Sequence, residues 1–309
     1  MQVMHTLQDI SRGINIRGSV RFDEPMSRHT TFEVGGPADV YTRPADSEDL
    51  AELIRFLREH ELPWFIIGGG ANIVVADAGI RAVVVDTGDM SEVTIHGTHI
   101  AVGAGLPVSD AAEAAARASL GGLDFLYSMP GSTGGAVWMN ARCYGSSVID
   151  ILERVDYLDE TGTRRTMYPE REAFAYKRTP FQEHDWVILE AVFSLEPEPE
   201  EEIRSRMRHY QADRTSKGHF AWPCAGSLFK NNREFGEPTG KLLDRLDMRG
   251  TRRGGARISP LHANIVVNDR GASAHDIEEL ASLMEQRARD ELGYCLEREV
   301  RFIGDWARQ

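Results

Sequence analysis

Two short runs in this sequence could do chemistry with the backbone alone. They are Gly68-Gly69-Gly70-Ala71-Asn72 and Met129-Pro130-Gly131-Ser132-Thr133-Gly134-Gly135. Residues without a Cβ let a ligand approach the main chain and permit positive φ, so successive N–H groups can converge on an anion. A pyrophosphate could be held that way without any lysine. A glycine run can also be no more than a sharp turn, and Gly68 to Gly70 taken alone leaves both readings open. The second run, with hydroxyls at Ser132 and Thr133 and in the same half of the chain, favours a dinucleotide-type cofactor. It is not the Rossmann fingerprint, because position 73 lacks the third glycine and Ile73-Val74-Val75 favours a strand where a helix should begin.

The elements around these runs must position them. Leu50, Leu53, Ile54 and Leu57 recur at helical spacing after Ser47, which can cap that helix. Trp64 to Ile67 reads as a buried strand before the first run, and Ala82 to Val85 as another after Ile73 to Val75. A hairpin is expected over Val93 to Val102, and an alanine-rich helix over Pro107 to Leu120, stopped by Gly121 and Gly122. Strands follow around Ile149 to Leu158 and Trp186 to Leu195.

Glu196-Pro-Glu-Pro-Glu-Glu-Glu is the clearest shift in composition, either a linker or the acidic first turn of a helix through Ile203, Met207 and Tyr210. A domain boundary is placed near it. Beyond it, strands at Ala256 to Ile258 and Ala263 to Val267 precede a long helix with Ile277, Leu280, Ala281, Met284 and Ala288 on one face, so this part reads as α+β.

The bulk properties exclude several functions. In 309 residues, 48 acidic against 35 basic side chains give a net charge of −13, which disfavours nucleic acid and anionic membranes as partners. Cys143, Cys224 and Cys295 are far apart and form no C-x-x-C pair, so neither a disulfide framework nor a metal site is expected, and a reducing cytoplasm fits. The N-terminal stretch lacks the apolar run of a signal peptide, and nothing later approaches the roughly 18 apolar residues of a membrane span. The length suits two or three domains sharing a cleft.

In order along the chain, Thr30-Thr31-Phe32 with Gly35-Gly36-Pro37-Ala38, Ile67 to Asn72, and Pro130 to Gly135 with Asn140-Ala141 and Tyr144-Gly145 carry a resemblance. So do Ala225-Gly226-Ser227-Leu228-Phe229-Lys230-Asn231, Gly254 to Ser259 with His262-Ala263-Asn264, and Leu296 to Phe302. Together they resemble the MurB family of UDP-N-acetylenolpyruvoylglucosamine reductases. The resemblance spans nearly the whole chain.

It implies an α+β protein with a non-Rossmann FAD-binding fold of two α/β subdomains (PCMH-type) and a C-terminal α+β substrate domain. The expected boundaries are 1–90 with a returning strand at about 298–309, then 91–197, then 198–297. It further implies that NADPH reduces FAD, and that the flavin passes hydride to the enolpyruvyl ether of UDP-N-acetylglucosamine enolpyruvate, giving UDP-N-acetylmuramate for the cell wall. A monomer is expected.

Hydride addition to an enol ether conjugated with a carboxylate leaves an enolate that needs positive neighbours and then a proton. By resemblance, Ser227 is the proton donor and Glu299 the acid that helps polarise the substrate carboxylate. Lys217 meets the substrate and Arg214 the flavin. Arg301 approaches the flavin as well, on the face it would share with Glu299 if both lie on one strand. Asn231, His262 and Tyr176 are substrate-side candidates, while Gly68, Gly69, Gly70, Ala71, Asn72, Pro130, Gly131, Ser132, Thr133 and Gly135 form the cofactor cradle. Without the motifs around them, Ser227 would read as a turn serine and Glu299 as a solvated glutamate.

Two positions depart from the pattern. Tyr176-Lys177-Arg178-Thr179-Pro180-Phe181 puts Lys177 where the family carries a catalytic arginine; a lysine offers a point charge in place of a bidentate fork, and Arg178 could take over if the backbone shifts by one. Arg142 stands where a glycine is common. The interval from Phe181 to Lys217 lacks the tyrosine-bearing substrate loop of one branch. The competing readings are another FAD-dependent oxidoreductase of the same fold and a non-catalytic sugar-nucleotide binder.

Overall fold

The computed structural model describes residues 11–308, so the expectation drawn from residues 1–10 about a leader lies outside the described residues. The chain divides into two compact units. One comprises the described chain through Asp23 with Asp39–Gly69 and Ala82–Ala212, and the other Glu24–Ala38, Gly70–Arg81 and the chain from Asp213 onward. Both mix helix and sheet, as the α+β expectation requires.

A sheet whose strands fall mostly in the first unit contains β1 (Ser19–Pro25), β2 (Pro37–Arg43), β3 (Trp64–Ile67) and β5 (Ile80–Asp86) in the order β1-β2-β5-β3. The intervening β4 (Ile73–Val75) belongs to the other unit. β3 runs parallel to β5, with Trp64 opposite Val83 and Ile67 opposite Asp86. Helix α1 (Ser47–Glu59) buries the expected stripe of Leu50, Leu53, Ile54 and Leu57. Its cap is Asp46, not Ser47: one carboxylate oxygen accepts from the amides of Glu48 and Asp49, both at 3.0 Å. A carboxylate there satisfies two orphan amides and complements the helix dipole, so Ser47 becomes the first helical residue.

The second sheet of this unit is antiparallel. It contains β6 (Val93–His96), β7 (His99–Gly103), β8 (Leu152–Leu158), β9 (Arg164–Met167) and β10 (Val187–Ser194) in the order β9-β8-β10-β7-β6. Helices α2 (Val108–Arg117) and α3 (Thr133–Trp138) share its core, where Ala111, Ala112, Ala115 and Val137 meet Ile100, Val155 and Phe193.

Two expectations shift at their ends. The alanine-rich helix stops at Arg117, Ser119 takes a left-handed φ of 58°, and Leu120–Gly121 pairs as a short strand with Glu196–Pro197. The strand expected from Ile149 starts only at Leu152, because Ser147 and Asp150 close a capping box around a single 3-10 turn. The acidic stretch opens a helix, as one of its two readings had it, but a short paired strand stands where the other placed a linker. It pairs at Glu196–Pro197 and then opens helix α4 (Glu200–Ser216) with three glutamates in the first turn.

In the second unit, β4 pairs in parallel with β13 (Arg301–Ile303), Ile73 opposite Arg301. Arg252–Arg253, β11 (Ala256–Ile258) and β12 (Val266–Asn268) make a three-stranded antiparallel sheet. The strand expected over Ala263 to Val267 therefore begins later, since Ala263 and Asn264 lie in a turn. Between them in the chain come α5 (Thr239–Arg245) and, after β12, α6 (Ala274–Leu292). Helix α6 is capped by Ser273 with Asp276, ends on Gly293 at φ 74°, and buries all five of its expected residues. Among the described residues no helix is long and apolar enough to cross a membrane.

Candidate functional site

β3 delivers the first glycine run against the second inside the first unit. A Cβ on Gly68 would stand 2.0 Å from Ser132 Oγ, and one on Gly69 2.7 Å from Gly131 Cα. The glycines are thus needed so that two loops can touch. The sequence suggested room for a ligand; the room they make is filled by the partner loop.

The second run is capped and tethered. Ser132 is the N-cap of α3 and accepts from Gly135 N at 3.2 Å, while the amides of Thr133 and Gly134 donate to the carbonyls of Leu106 and Ala104, each at 2.8 Å. Thr133 is fully buried, with its hydroxyl also on Leu106 O, and Pro130 has no amide to give. Among the described residues the amides of Gly69, Gly131 and Ser132 make no hydrogen bond within the protein. These are the donors left for an anion at the loop junction, so the residues present fit a dinucleotide phosphate.

The remainder of the first run belongs to the second unit. Gly70 takes φ +59°, and a Cβ there would meet His29 O at 1.9 Å. Its own carbonyl accepts from Thr31 N. Asn72 Nδ2 donates to Glu299 O at 3.1 Å, and Asn72 O accepts from Arg301 N at 3.0 Å. Ala71 is half-buried between them.

Ser227 and Glu299 come together in this unit. Ser227 bridges to Ile265, and Glu299 N donates to Leu228 O at 2.8 Å. Ser227 is half-buried, and among the described residues its hydroxyl has no hydrogen-bond partner in the protein. Glu299 and Val300 lie in a bend and the strand starts only at Arg301, so strand alternation does not put 299 and 301 on one face. The reason is the double tether of this segment, to Leu228 on one side and Asn72 on the other. Arg301 is exposed.

The cations sit at the end of α4. Lys217 Nζ is 2.7 Å from Asp213 Oδ2 and exposed, whereas Arg214 is buried. His219 follows them. Burial, then the positive charges of Arg214, His262 and Lys217, push its imidazole down to about 4. The His262 ring lies 6.4 Å from it and is likewise lowered, chiefly by burial. His262 Nδ1 accepts from Asn264 N at 3.2 Å, which fixes the neutral ring as the Nε2–H tautomer. Asn231 is exposed, with its side-chain oxygen on Thr239 N at 2.9 Å at the start of α5.

Lys177 and Tyr176 lie in the first unit, in a turn closed by the pairing of Ala175 with Arg178. Lys177 has φ 59° and is half-buried, its Nζ 5.9 Å from the Tyr176 ring centre and its carbonyl held by Gln182. Arg178 turns to the surface, where Nη2 meets Glu183 Oε1 at 2.6 Å. Arg142 is exposed.

Sequence reasoning singled out no role for Asn264, which is 1% exposed and bonds both ways to Phe229. Its signal was its place in the His262-Ala263-Asn264 motif. His219 carried no sequence signal.

The geometry now has known counterparts. A family described as "FAD binding domain" matches residues 38–168, and one described as "UDP-N-acetylenolpyruvoylglucosamine reductase, C-terminal domain" matches residues 218–303. The chain is 38% identical to a protein of Treponema denticola named UDP-N-acetylenolpyruvoylglucosamine reductase, over 94% of this chain and 95% of the other. A protein of the same name from Pelobacter propionicus is also 38% identical, over 95% and 98%. The crystal structure of the reductase of that family from Thermus caldophilus superposes with a TM-score of 0.78 at 30% identity, covering 93% of this chain and 99% of that one.

Proposed function

The chain belongs to the UDP-N-acetylenolpyruvoylglucosamine reductase family, and on that premise we propose that it reduces UDP-N-acetylglucosamine enolpyruvate to UDP-N-acetylmuramate, with FAD as cofactor and NADPH as donor. This is a step of peptidoglycan precursor synthesis. The observation that carries the reading is Ser227: a hydroxyl with no hydrogen-bond partner among the described residues, next to Leu228, whose backbone bonds to Asn264 and Glu299. Bound at the loop junction, FAD would carry the electron pair from NADPH to the substrate double bond.

The chain supplies the rest. Gly69, Gly131 and Ser132 hold phosphate through their amides, and Arg214 and Arg301 add positive charge for the cofactor. Adding hydride to the double bond leaves negative charge on the carbon that carries the carboxylate. Ser227 gives its proton to that carbon. Glu299 and Lys177 act on the substrate carboxylate, so that the enolate forms beside a fixed cation. Lys177 is favoured over Arg178, whose guanidinium turns to the surface beside Glu183. Lys217, Tyr176, Asn231 and His262 bind the substrate, His262 as a neutral N–H donor. Segments 1–90 and 91–197 with the returning strand 298–309 hold the flavin, and 198–297 the sugar nucleotide. The protein acts as a monomer in the cytoplasm, without nucleic acid.

The test is product formation. Incubated with FAD, NADPH and UDP-N-acetylglucosamine enolpyruvate, the purified protein yields the dihydro product UDP-N-acetylmuramate by mass spectrometry. NADPH consumption without that product rejects the reading in favour of another flavin oxidoreductase.

A further inference from the structure

Ser227 sits in a segment with little regular structure. Only isolated bridges at Ser227 and Phe229 interrupt it. A proton donor must nevertheless stay within hydrogen-bond reach of one carbon while charge develops on it. Something other than a sheet ladder has to hold it.

Asn264 makes the required bonds. Its Oδ1 accepts from Phe229 N at 3.0 Å and its Nδ2 donates to Phe229 O at 2.8 Å, so the amide closes a two-point clamp on one residue of the segment. Its backbone carbonyl accepts from Leu228 N at 2.7 Å, and its backbone amide donates to His262 Nδ1 at 3.2 Å. Leu228 O in turn accepts from Glu299 N at 2.8 Å. Asn264 is 1% exposed, so each of these bonds lies away from competing water.

We propose that Asn264 is the positioning residue of the reaction, fixing Ser227, Glu299 and His262 in one frame without touching the substrate. The inference rests on the reduction proposed above. It requires both functions of the side-chain amide, a donor and an acceptor, which few residues of that size offer. Aspartate keeps the acceptor and loses the donor. It also sets a carboxylate against the Phe229 carbonyl.

The experiment compares Asn264→Asp and Asn264→Ser with the unaltered holoenzyme in both half-reactions, together with hydrogen exchange of the ligand-free proteins. Both variants are expected to keep their flavin and to be reduced by NADPH within about twofold of the unaltered rate. Their oxidation by UDP-N-acetylglucosamine enolpyruvate should slow by about 100-fold, the usual cost of misplacing a reacting group by an ångström. Acidification should recover part of that loss in Asn264→Asp, where the protonated acid regains a donor, but not in Asn264→Ser. Amides of residues 227–230 and 299 should exchange faster in both variants, with α6 unchanged.

An enolpyruvyl step at the unaltered rate in either folded variant overturns the proposal. So does parallel loss in both half-reactions, which marks a purely structural residue. If the unaltered enzyme itself fails on the enolpyruvyl substrate, the functional reading falls and takes the positioning role with it. The exchange measurement then still decides whether Asn264 holds the segment.

Discussion

The loop junction in the first unit and the Ser227 segment in the second are both irregular stretches held rigid, by opposite means. At the junction, side chains are removed: Gly68 and Gly69 rest directly on Ser132 and Gly131. Around Ser227 a side chain is inserted, with the Asn264 amide standing in for the missing sheet partner of Phe229. The first device leaves backbone donors pointing at whatever binds, which suits a cofactor that stays. The second leaves one hydroxyl free within a fixed frame, which suits a single proton transfer.

If the two regions do separate jobs, variants should separate them. The largest effect is expected from Ser227→Ala. The enolpyruvyl half-reaction should fall by about 10³-fold, within the usual range for a general acid, while reduction by NADPH is unchanged. Stopped-flow absorbance of the flavin reads both steps; equal loss in each would merge the two regions.

Lys177→Gly comes next. It removes the cation proposed to act on the substrate carboxylate and should slow the same half-reaction by about 100-fold. Because Lys177 holds a left-handed φ of 59°, glycine there should also raise stability by about 1 kcal/mol. A variant both more stable and less active would show that the strain serves function; thermal unfolding and stopped flow check the two parts.

Gly69→Ala should act on the other region. Its Cβ would press on Gly131 Cα, costing about 1–3 kcal/mol and lowering the fraction of protein that retains flavin. Calorimetry and the absorbance ratio of flavin to protein measure this. Full flavin content at full stability would show that the loops do not need to touch.

The smallest effect concerns pH. His219 has a folded-state value of about 4, below its unfolded value of about 6.5, so on acidification the unfolded chain takes up the proton first. Its contribution to stability is whole above about pH 6.5 and is lost as the pH falls toward 4. The slope from this group is at most about 1.4 kcal/mol per pH unit. Denaturant titrations of His219→Gln should show a shallower fall over that window than the parent protein.

This contrast also explains what could be read from the sequence. The glycine runs were legible because backbone contact is written into composition, although the reason for them was not: that Gly69 makes room for Gly131 needs two stretches separated in the chain by β4 to β7 and α2. The apolar stripe of α6 was legible because periodicity is local, and every expected residue is buried. The Asn264 clamp was not, since nothing local to Phe229 announces a partner 35 residues away. Strand alternation misplaced Glu299 relative to Arg301 for the same reason: a long-range tether to Leu228 bends the chain where the local pattern said extended. Asp46 displaced Ser47 as the cap because two amides favoured a carboxylate over a hydroxyl at the adjoining position.

The central claim is that one region holds the electron carrier and the other completes the reduction of the enolpyruvyl group. An anaerobic titration of the FAD-loaded protein tests it most directly. NADPH should bleach the yellow colour, and UDP-N-acetylglucosamine enolpyruvate should then restore it with one UDP-N-acetylmuramate formed per flavin reoxidised. Colour that returns only on admission of air, with the enolpyruvyl substrate recovered intact, would contradict the account.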